Sequence, residues 1–154
     1  MKIIALILIL IPTALFAQEQ DSIVVYEGYG SFNNRIVDLS NQHLSRFPAL
    51  SPEVEVLILD NNNISYLPNS IIYLSKLRSL SIRNNKLQSA DILGYCESLE
   101  ELYLSGNPYL SQLPNFIRCN KLKIIDVTGT AINDIPGWIR AMDSLAYFKY
   151  SIRK

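Results

Sequence analysis

Apolar residues recur along the chain with a period of about 23 residues, which lies in the range that is typical of repeat architectures. The segment LEELYLSGNPYLSQLPNFIRCNK, which starts at Leu99, has leucine at its first, fourth and sixth positions and asparagine at its ninth. Comparable segments start at Val54, Leu77 and Leu122, and a shorter copy occupies residues 34–53. Such a fixed period predicts a stack of similar coils, because one unit cannot bury its apolar side alone.

Each copy divides into a short strand, a corner and a return segment. Positions four and six are two residues apart, so in a strand both side chains point to the same face, toward the core. Apolar residues near positions 14, 18 and 21 predict a short helical or 3₁₀ turn on the return side. In three copies these residues are Leu67, Ile71 and Leu74; Leu113, Ile117 and Cys119; and Ile135, Ile139 and Met142. The third copy has Ala90, Ile92 and Leu93 instead of this pattern, so we expect its turn to differ.

The corner residue of each copy is polar although it faces the predicted interior. An asparagine side chain carries two N–H donors and a carbonyl acceptor, so it can pair backbone groups of its own turn and of the neighbouring coil. An apolar residue there would leave those groups unpaired, at about 1–3 kcal/mol each. The sequence therefore predicts a ladder of stacked polar side chains, which is weakest at its two ends, where the residue is not Asn. Its members are Gln42, Asn62, Asn85, Asn107 and Thr130.

These copies resemble the leucine-rich repeat family, whose pattern is L-x-x-L-x-L-x-x-N-x-L. The return segments LPNSIIYL, LPNFIRC and IPGWIRAM also resemble the subclass with LPxxIxxL in its convex segment. The resemblance covers residues 34–150. It implies an α/β fold, a short right-handed leucine-rich-repeat solenoid with a parallel β-sheet on its concave face and 3₁₀ or short helical turns on its convex face. It also implies that partners bind the concave face.

Residues 1–17 have the layout of a secretory signal peptide. Lys2 precedes an apolar run over residues 3–11, Pro12 ends that run, and the small Ala17 marks the expected cleavage position. The run is too short to span a bilayer well. We therefore expect a secreted or periplasmic protein that touches a membrane only through this transient segment. An uncleaved anchor is the alternative.

The rest of the chain is predicted to form one repeat domain with a cap before it. Residues 18–33 contain the alternating segment DSIVVYEGYGSF, which predicts a strand that covers the first coil. The repeat domain occupies residues 34–154, with about five repeats and a terminal strand. In that strand Phe148 and Tyr150 take the inward positions as bulky plugs.

The charge balance and the scarcity of reactive side chains argue against several classes of function. Fourteen Lys and Arg residues balance fourteen Asp and Glu residues, so we expect no nucleic-acid partner. His43 is the only histidine and sits beside Gln42 at a corner, which argues against a histidine-based catalytic site. The sequence contains neither closely spaced zinc ligands nor a phosphate-binding glycine loop. We therefore expect a monomeric, non-enzymatic protein without catalytic residues, metal or cofactor.

Cys96 and Cys119 occupy equivalent places in successive copies, at the apolar return position that Leu74 and Met142 hold in other copies. We favour two buried free thiols that act as small apolar fillers. A disulfide is the alternative, because export would place the pair in an oxidising compartment. Trp138 lies on the convex return, where we interpret it as a cover for the turn and not as a platform for a sugar.

The strand side chains that point away from the core form the open, concave face. This face carries more Ile, Val and Tyr than solubility requires, which favours a binding surface. The alternative is that β-branched residues are simply good strand formers. The predicted partner-binding residues are Ile36, Asp38, Val56, Ile58, Asp60, Arg83, Glu101, Tyr103, Ile124, Asp126, Tyr147 and Lys149.

The leading hypothesis for function is a protein–protein interaction module that binds a protein partner through this face. One alternative is a carbohydrate-binding surface or adhesin module, and another is a dedicated inhibitor of one partner enzyme. Carbohydrate binding would favour aromatic residues in one column of the sheet beside carboxylates. Tyr103 and Tyr147 lie in different columns, which favours the leading hypothesis.

Overall fold

The computed structural model describes residues 35–151. The predicted signal peptide at 1–17 and the predicted cap at 18–33 lie outside these residues. The described residues form one sheet of six parallel strands, which follow one another in chain order. The strands are β1 (Ile36–Asp38), β2 (Val56–Ile58), β3 (Ser79–Ser81), β4 (Glu101–Tyr103), β5 (Ile124–Val127) and β6 (Tyr147–Tyr150).

Short 3₁₀ helices lie on three of the returns between successive strands. They span Asn69–Tyr73, Asp91–Tyr95 and Gly137–Ala141. Parallel strands need a long crossover connection, and the returns provide it, with a 3₁₀ helix as one part of three described returns. The structure therefore confirms the predicted leucine-rich-repeat solenoid, with the sheet on the concave face and the 3₁₀ turns on the convex face.

The strand register places the inward positions of the copies on top of one another. The middle residues of the strands are aligned as Val37, Leu57, Leu80, Leu102, Ile125 and Phe148. The four central members of this row are fully buried. Each of them packs against the coil before and the coil after it, so the stability of a coil depends on its neighbours.

The return of the fourth copy differs from the predicted assignment. We expected Ile117 in the core, but its side chain is 78% exposed and Phe116 is buried instead. Phe116 follows Leu99 at the same separation along the chain as Ile71 follows Val54. The extra corner residue of this copy shifts its LP motif by one position, whereas the length of chain from the strand to the core-facing turn stays the same.

Our expectation for the third copy is also wrong. It forms a regular 3₁₀ turn without the LP motif, and Leu93 takes the buried position that Ile71 has in the second copy. The described return of the fourth copy, in contrast, contains no 3₁₀ helix. Its backbone runs close to the turn before it, because a Cβ atom on Gly94 would lie only 2.6 Å from the carbonyl oxygen of Asn115. Glycine is therefore required at that contact.

Asn62, Asn85 and Asn107 are buried and join each coil to the one before it. The side-chain oxygen of Asn85 accepts a hydrogen bond from the Ile64 N–H at 2.9 Å, and its amide group donates to the carbonyl of Leu59 at 2.9 Å. Asn62 and Asn107 make the equivalent two bonds to the coils that precede them. All three amide groups also donate within their own coil.

The two ends of this ladder differ from its middle. Gln42 was expected in it, but its side chain is exposed and donates to the carbonyl of Ser40 at 3.3 Å. Only the backbone N–H of Gln42 belongs to the ladder, and it donates to Asn62 Oδ1 at 3.0 Å. Because β1 is an edge strand of the described sheet, the Gln42 side chain has no preceding strand-bearing coil to pair with there. Thr130 is buried, but its hydroxyl is too short to leave its own coil and donates to the carbonyl of Val127 at 2.8 Å.

The last strand is only partly covered. Phe148 is half-buried against the core. Tyr150 is aligned with the buried Val127, so it takes the predicted inward position, but it remains 41% exposed and does not close the core. The two rings stack with their centres 5.5 Å apart. Because β6 is an edge strand of the described sheet, its side chains have a neighbouring strand on one side only.

Cys96 and Cys119 are buried free thiols, as we expected. The sulfur of Cys119 lies 3.5 Å from the carbonyl oxygen of Cys96, so the two residues are neighbours on adjacent returns. Burial raises the pKa of the Cys96 thiol to about 12 and that of Cys119 to about 11. Both thiols therefore stay protonated near neutral pH, and a protonated thiol is a poor nucleophile.

The ladder predicts that Asn85→Leu lowers the free energy of unfolding. The substitution leaves the Ile64 N–H without its acceptor and removes one of the two amide donors to the Leu59 carbonyl, which keeps Asn62. We expect the free energy of unfolding to fall by about 1–3 kcal/mol, measured by denaturant melts. The matched control is Lys86→Leu at the exposed neighbouring position, which should change stability by less than about 0.5 kcal/mol. Equal melts for the two variants would contradict the role of the ladder.

The buried cysteines predict two free thiols. Alkylation of the unfolded, unreduced protein should add two groups per chain by mass spectrometry, and alkylation of the native protein should be slow because both pKa values are raised. Joint replacement by alanine should lower the free energy of unfolding by about 1–3 kcal/mol, since only small apolar contacts are lost. A native protein with no alkylatable thiol after unfolding would contradict this expectation.

Candidate functional site

The strand register gathers the predicted partner-binding residues on one surface. The first residues of the strands are aligned as Ile36, Val56, Ser79, Glu101, Ile124 and Tyr147. The third residues are aligned as Asp38, Ile58, Ser81, Tyr103, Asp126 and Lys149. Asp60 and Arg83 lie just after the ends of β2 and β3. We call the surface formed by these two rows and these two residues the concave face.

The apolar side chains of the concave face remain accessible. Ile36 and Tyr147, at opposite ends of the sheet, are 67% and 52% exposed. Val56, Ile58 and Ile124, between them, are partly buried. Among the described residues, no helix or strand covers these side chains.

Arg83 and Tyr103 form the centre of the concave face. The Arg83 guanidinium carbon lies 4.2 Å from the centre of the Tyr103 ring, which is cation–π geometry. The same guanidinium lies 3.6 Å from the Asp60 carboxylate and donates to the Ser81 hydroxyl at 3.3 Å. Asp60 in turn accepts hydrogen bonds from the Ser81 hydroxyl at 2.7 Å and from the Arg83 N–H at 2.8 Å. These contacts hold the Arg83 side chain in one orientation.

Glu101 extends this centre along β4. Its Oε2 atom accepts hydrogen bonds from the Ser79 hydroxyl at 3.0 Å and from the Tyr103 hydroxyl at 3.4 Å. Burial, and then the charge of Glu101, raise the pKa of Tyr103 above its usual value. The phenol therefore stays protonated at neutral pH and can donate hydrogen bonds.

Asp38 and Asp126 repeat one local turn at the first and fifth coils. The Asp38 carboxylate accepts hydrogen bonds from the Ser40 hydroxyl at 2.6 Å and from its N–H at 2.9 Å. The Asp126 carboxylate does the same with Thr128, at 2.8 and 3.1 Å. The hydrogen bonds from Ser40 lower the pKa of Asp38. Both carboxylates are therefore positioned by their own coil.

Sequence reasoning did not select the small hydroxyl residues that organise this face. Ser79, Ser81, Ser40 and Thr128 lie in the outward columns, but a short polar side chain alone gives no signal for binding. The spacing Asp-x-Ser or Asp-x-Thr was the available signal, because it recurs at Asp38 and Asp126.

Other candidate chemistry gives little support to a catalytic site. Among residues 35–151 no group of three or more His, Cys, Asp and Glu side chains is placed to hold a metal ion. His43 is exposed at a corner with a positive φ of 57°. In the same part of the chain, every helix is too short or too polar to cross a membrane.

An apolar cleft of about 310 Å³ lies on the convex side between the fourth and fifth returns. Phe116, Trp138 and Met142 line it. The Trp138 ring meets Phe116 edge to face, with the ring centres 5.7 Å apart. This contact agrees with the interpretation of Trp138 as a cover for the turn.

Comparison with known proteins identifies the repeat. Two leucine-rich repeat family models match residues 52–108 and 98–120. Disease resistance protein RPS4B of Arabidopsis thaliana is 30% identical over 66% of this chain and 9% of its own length. A protein phosphatase 1 regulatory inhibitor subunit homologue of Arabidopsis thaliana is 29% identical over 73% of this chain and 36% of its own length. The curated relatives are thus much longer than the part that this chain matches.

A solved structure supports the same assignment at the level of the fold. A leucine-rich repeat protein of Leptospira interrogans matches with a TM-score of 0.61 and 22% sequence identity, over 65% of this chain and 26% of that chain. The repeated strand register, the buried asparagine ladder and the family matches agree with one another. The chain belongs to the leucine-rich repeat family.

Proposed function

We propose that this protein is a non-enzymatic interaction module that binds a protein partner through the concave face. The observation that carries the proposal is the Arg83–Tyr103 pair, with its ring and guanidinium 4.2 Å apart in the middle of an open sheet. Tyrosine and arginine are enriched among the residues that dominate binding energy at interfaces. A pair that is already ordered loses less side-chain entropy on binding than two free side chains would.

The surroundings of this pair support a protein as the partner. Ile58 and Ile124 lie in the outward rows on either side of it and offer partly exposed apolar surface. Hot-spot residues are usually surrounded by such contacts, which exclude water from the centre of an interface. One relative is named as a regulatory inhibitor subunit of protein phosphatase 1, which is a role toward another protein. Inhibition of one partner enzyme is therefore a special case of the proposed function.

Carbohydrate binding has weaker support. A sugar ring stacks on the open face of an aromatic side chain. One face of the Tyr103 ring is covered by Arg83, and Tyr147 lies in the other outward row at the far end of the sheet. The concave face therefore lacks a continuous aromatic platform among its described residues.

We further propose that the protein acts outside the cytoplasm. The support is the order of charge, apolar run and small residues in positions 1–17. Burial of both thiols is compatible with an oxidising compartment, because a protonated, inaccessible thiol reacts slowly.

Binding through the concave face predicts that two substitutions weaken it. Envelope and culture-medium extracts are passed over the immobilised protein, and the affinity of each captured protein is then measured with purified variants. Tyr103→Ala and Arg83→Ala should each weaken binding by at least about 1–2 kcal/mol while the melting temperature changes little.

The chain offers a matched control on its convex side. Arg118 lies 5.6 Å from the centre of the exposed Tyr95 ring, so Tyr95→Ala and Arg118→Ala remove a similar pair from the other surface. These control variants should keep the affinity of the unmodified protein. Loss of binding in the convex variants alone would place the site on the convex side and end this proposal.

Export predicts removal of residues 1–17. Intact-mass measurement of the protein recovered from the periplasm or medium should give a chain that starts near Gln18. Substitution of the apolar run by charged residues should retain the protein in the cytoplasm at full length. A mature extracellular species that keeps Met1 would contradict cleavage.

A further inference from the structure

The charges at the entry to the strands are paired with one another. Glu55 contacts Arg35 and also lies 2.9 Å from Arg78, Glu53 lies 2.6 Å from Lys76, and Glu100 lies 2.6 Å from Lys123. The residues before the strands alternate in sign from coil to coil, as Arg35, Glu55, Arg78, Glu100 and Lys123. Along this edge the carboxylates are therefore satisfied within the protein.

On the concave face, in contrast, acidic side chains outnumber basic ones. It carries four carboxylates, Asp38, Asp60, Glu101 and Asp126, against two cations, Arg83 and Lys149. Arg83 is already engaged by Asp60 and by the Tyr103 ring. Among the described residues, neither Glu101 nor Asp126 forms an ion pair. Although the whole chain has a formal net charge of zero, the open face that a partner would meet is acidic.

Glu101 and Asp126 lie on adjacent strands in a diagonal arrangement. Glu101 is aligned with Ile124, and Tyr103 is aligned with Asp126. One strand spacing and two steps along the strand separate the two acidic residues, so their Cα atoms are about 8 Å apart. A single cationic group between them can reach both carboxylates. Tyr103 and Ile124, on the other diagonal, provide a surface for the apolar stem that carries such a group.

Each of these two carboxylates has an oxygen left for a partner. Glu101 uses Oε2 for both of its hydrogen bonds, and Asp126 uses Oδ1 for both of its own. Glu101 Oε1 and Asp126 Oδ2 accept no hydrogen bond from the described residues. Both side chains are partly buried, so they are less screened by water than charges on fully exposed loops.

We propose that the occupant of the concave face is a basic segment of a protein partner, with an arginine or lysine side chain placed between Glu101 and Asp126. This inference rests on the proposed function, because it specifies the chemistry of the partner at the same face. Complementary charge selects a partner and speeds its association more than it adds raw affinity. Arg83 does not repel this segment strongly, since Asp60 lies 3.6 Å from its guanidinium.

The test uses short random peptides displayed on phage, selected on the immobilised protein and counter-selected on the Tyr103→Ala variant. Selected peptides should be enriched in arginine and lysine at least about twofold over the unselected library. Their binding to Glu101→Gln/Asp126→Asn should be weaker by about five- to tenfold, and salt should weaken binding to the unmodified protein. Both substitutions keep the shape of the side chain and an acceptor oxygen, and thermal melts check that the variant is folded.

The control variant is Glu97→Gln/Asp134→Asn, which removes the same two charges at exposed positions that are outside the concave face. It should bind the selected peptides as tightly as the unmodified protein does. Two results would contradict the proposal of a basic partner segment: selected peptides that depend on Tyr103 but lack basic residues, or selected peptides with the same affinity for Glu101→Gln/Asp126→Asn as for the unmodified protein. Neither result would contradict the proposed function. A selection without any peptide that depends on Tyr103 would count against both.

Discussion

The structure depends on the pairing of backbone groups at the corner of every coil. The chain leaves its strand there and turns inside a closed stack, where water cannot satisfy the N–H and carbonyl groups. Each buried asparagine side chain pairs backbone groups of its own coil and also backbone groups of the coil before it. The ladder therefore fixes the spacing and rotation of successive coils. The apolar rows can then align.

The open face follows from that stacking. A parallel sheet is normally covered on both faces, because its connections lie on them. Here every return lies on the same side, so the inward row is buried while the two outward rows are left without a covering element in the described residues. Arg83 and Tyr103 come from different coils and meet only because β3 and β4 are in register. The solenoid thus assembles a composite surface from one or two residues of each copy.

Charged side chains have different partners at the strand entries and on the concave face. At the strand entries, opposite charges alternate from coil to coil and form ion pairs such as Lys123–Glu100. On the concave face, Asp38, Glu101 and Asp126 are held by hydroxyl groups, which position the charge without neutralising it. Asp60 differs from them, because it also lies near Arg83. A repeat protein can separate these two uses because each column along the stack faces one environment. This separation supports our proposal that recognition takes place on the concave face and not at the strand entries.

Much of this protein is determined by its sequence alone. The fixed repeat period predicts the solenoid, the aligned rows and the internal Asn positions, because a side chain that recurs at a fixed offset meets the same environment in each coil.

The tertiary structure decided the burial and the contacts of residues that lack an equivalent neighbour in the next coil. Phe116 replaced Ile117 in the core because the return keeps its length despite an inserted residue. Gln42 stayed out of the ladder, and Tyr150 remained exposed, because each lies in or next to an edge strand of the described sheet. The Arg83–Tyr103 contact was likewise decided between coils, since it depends on side-chain directions that no single repeat specifies.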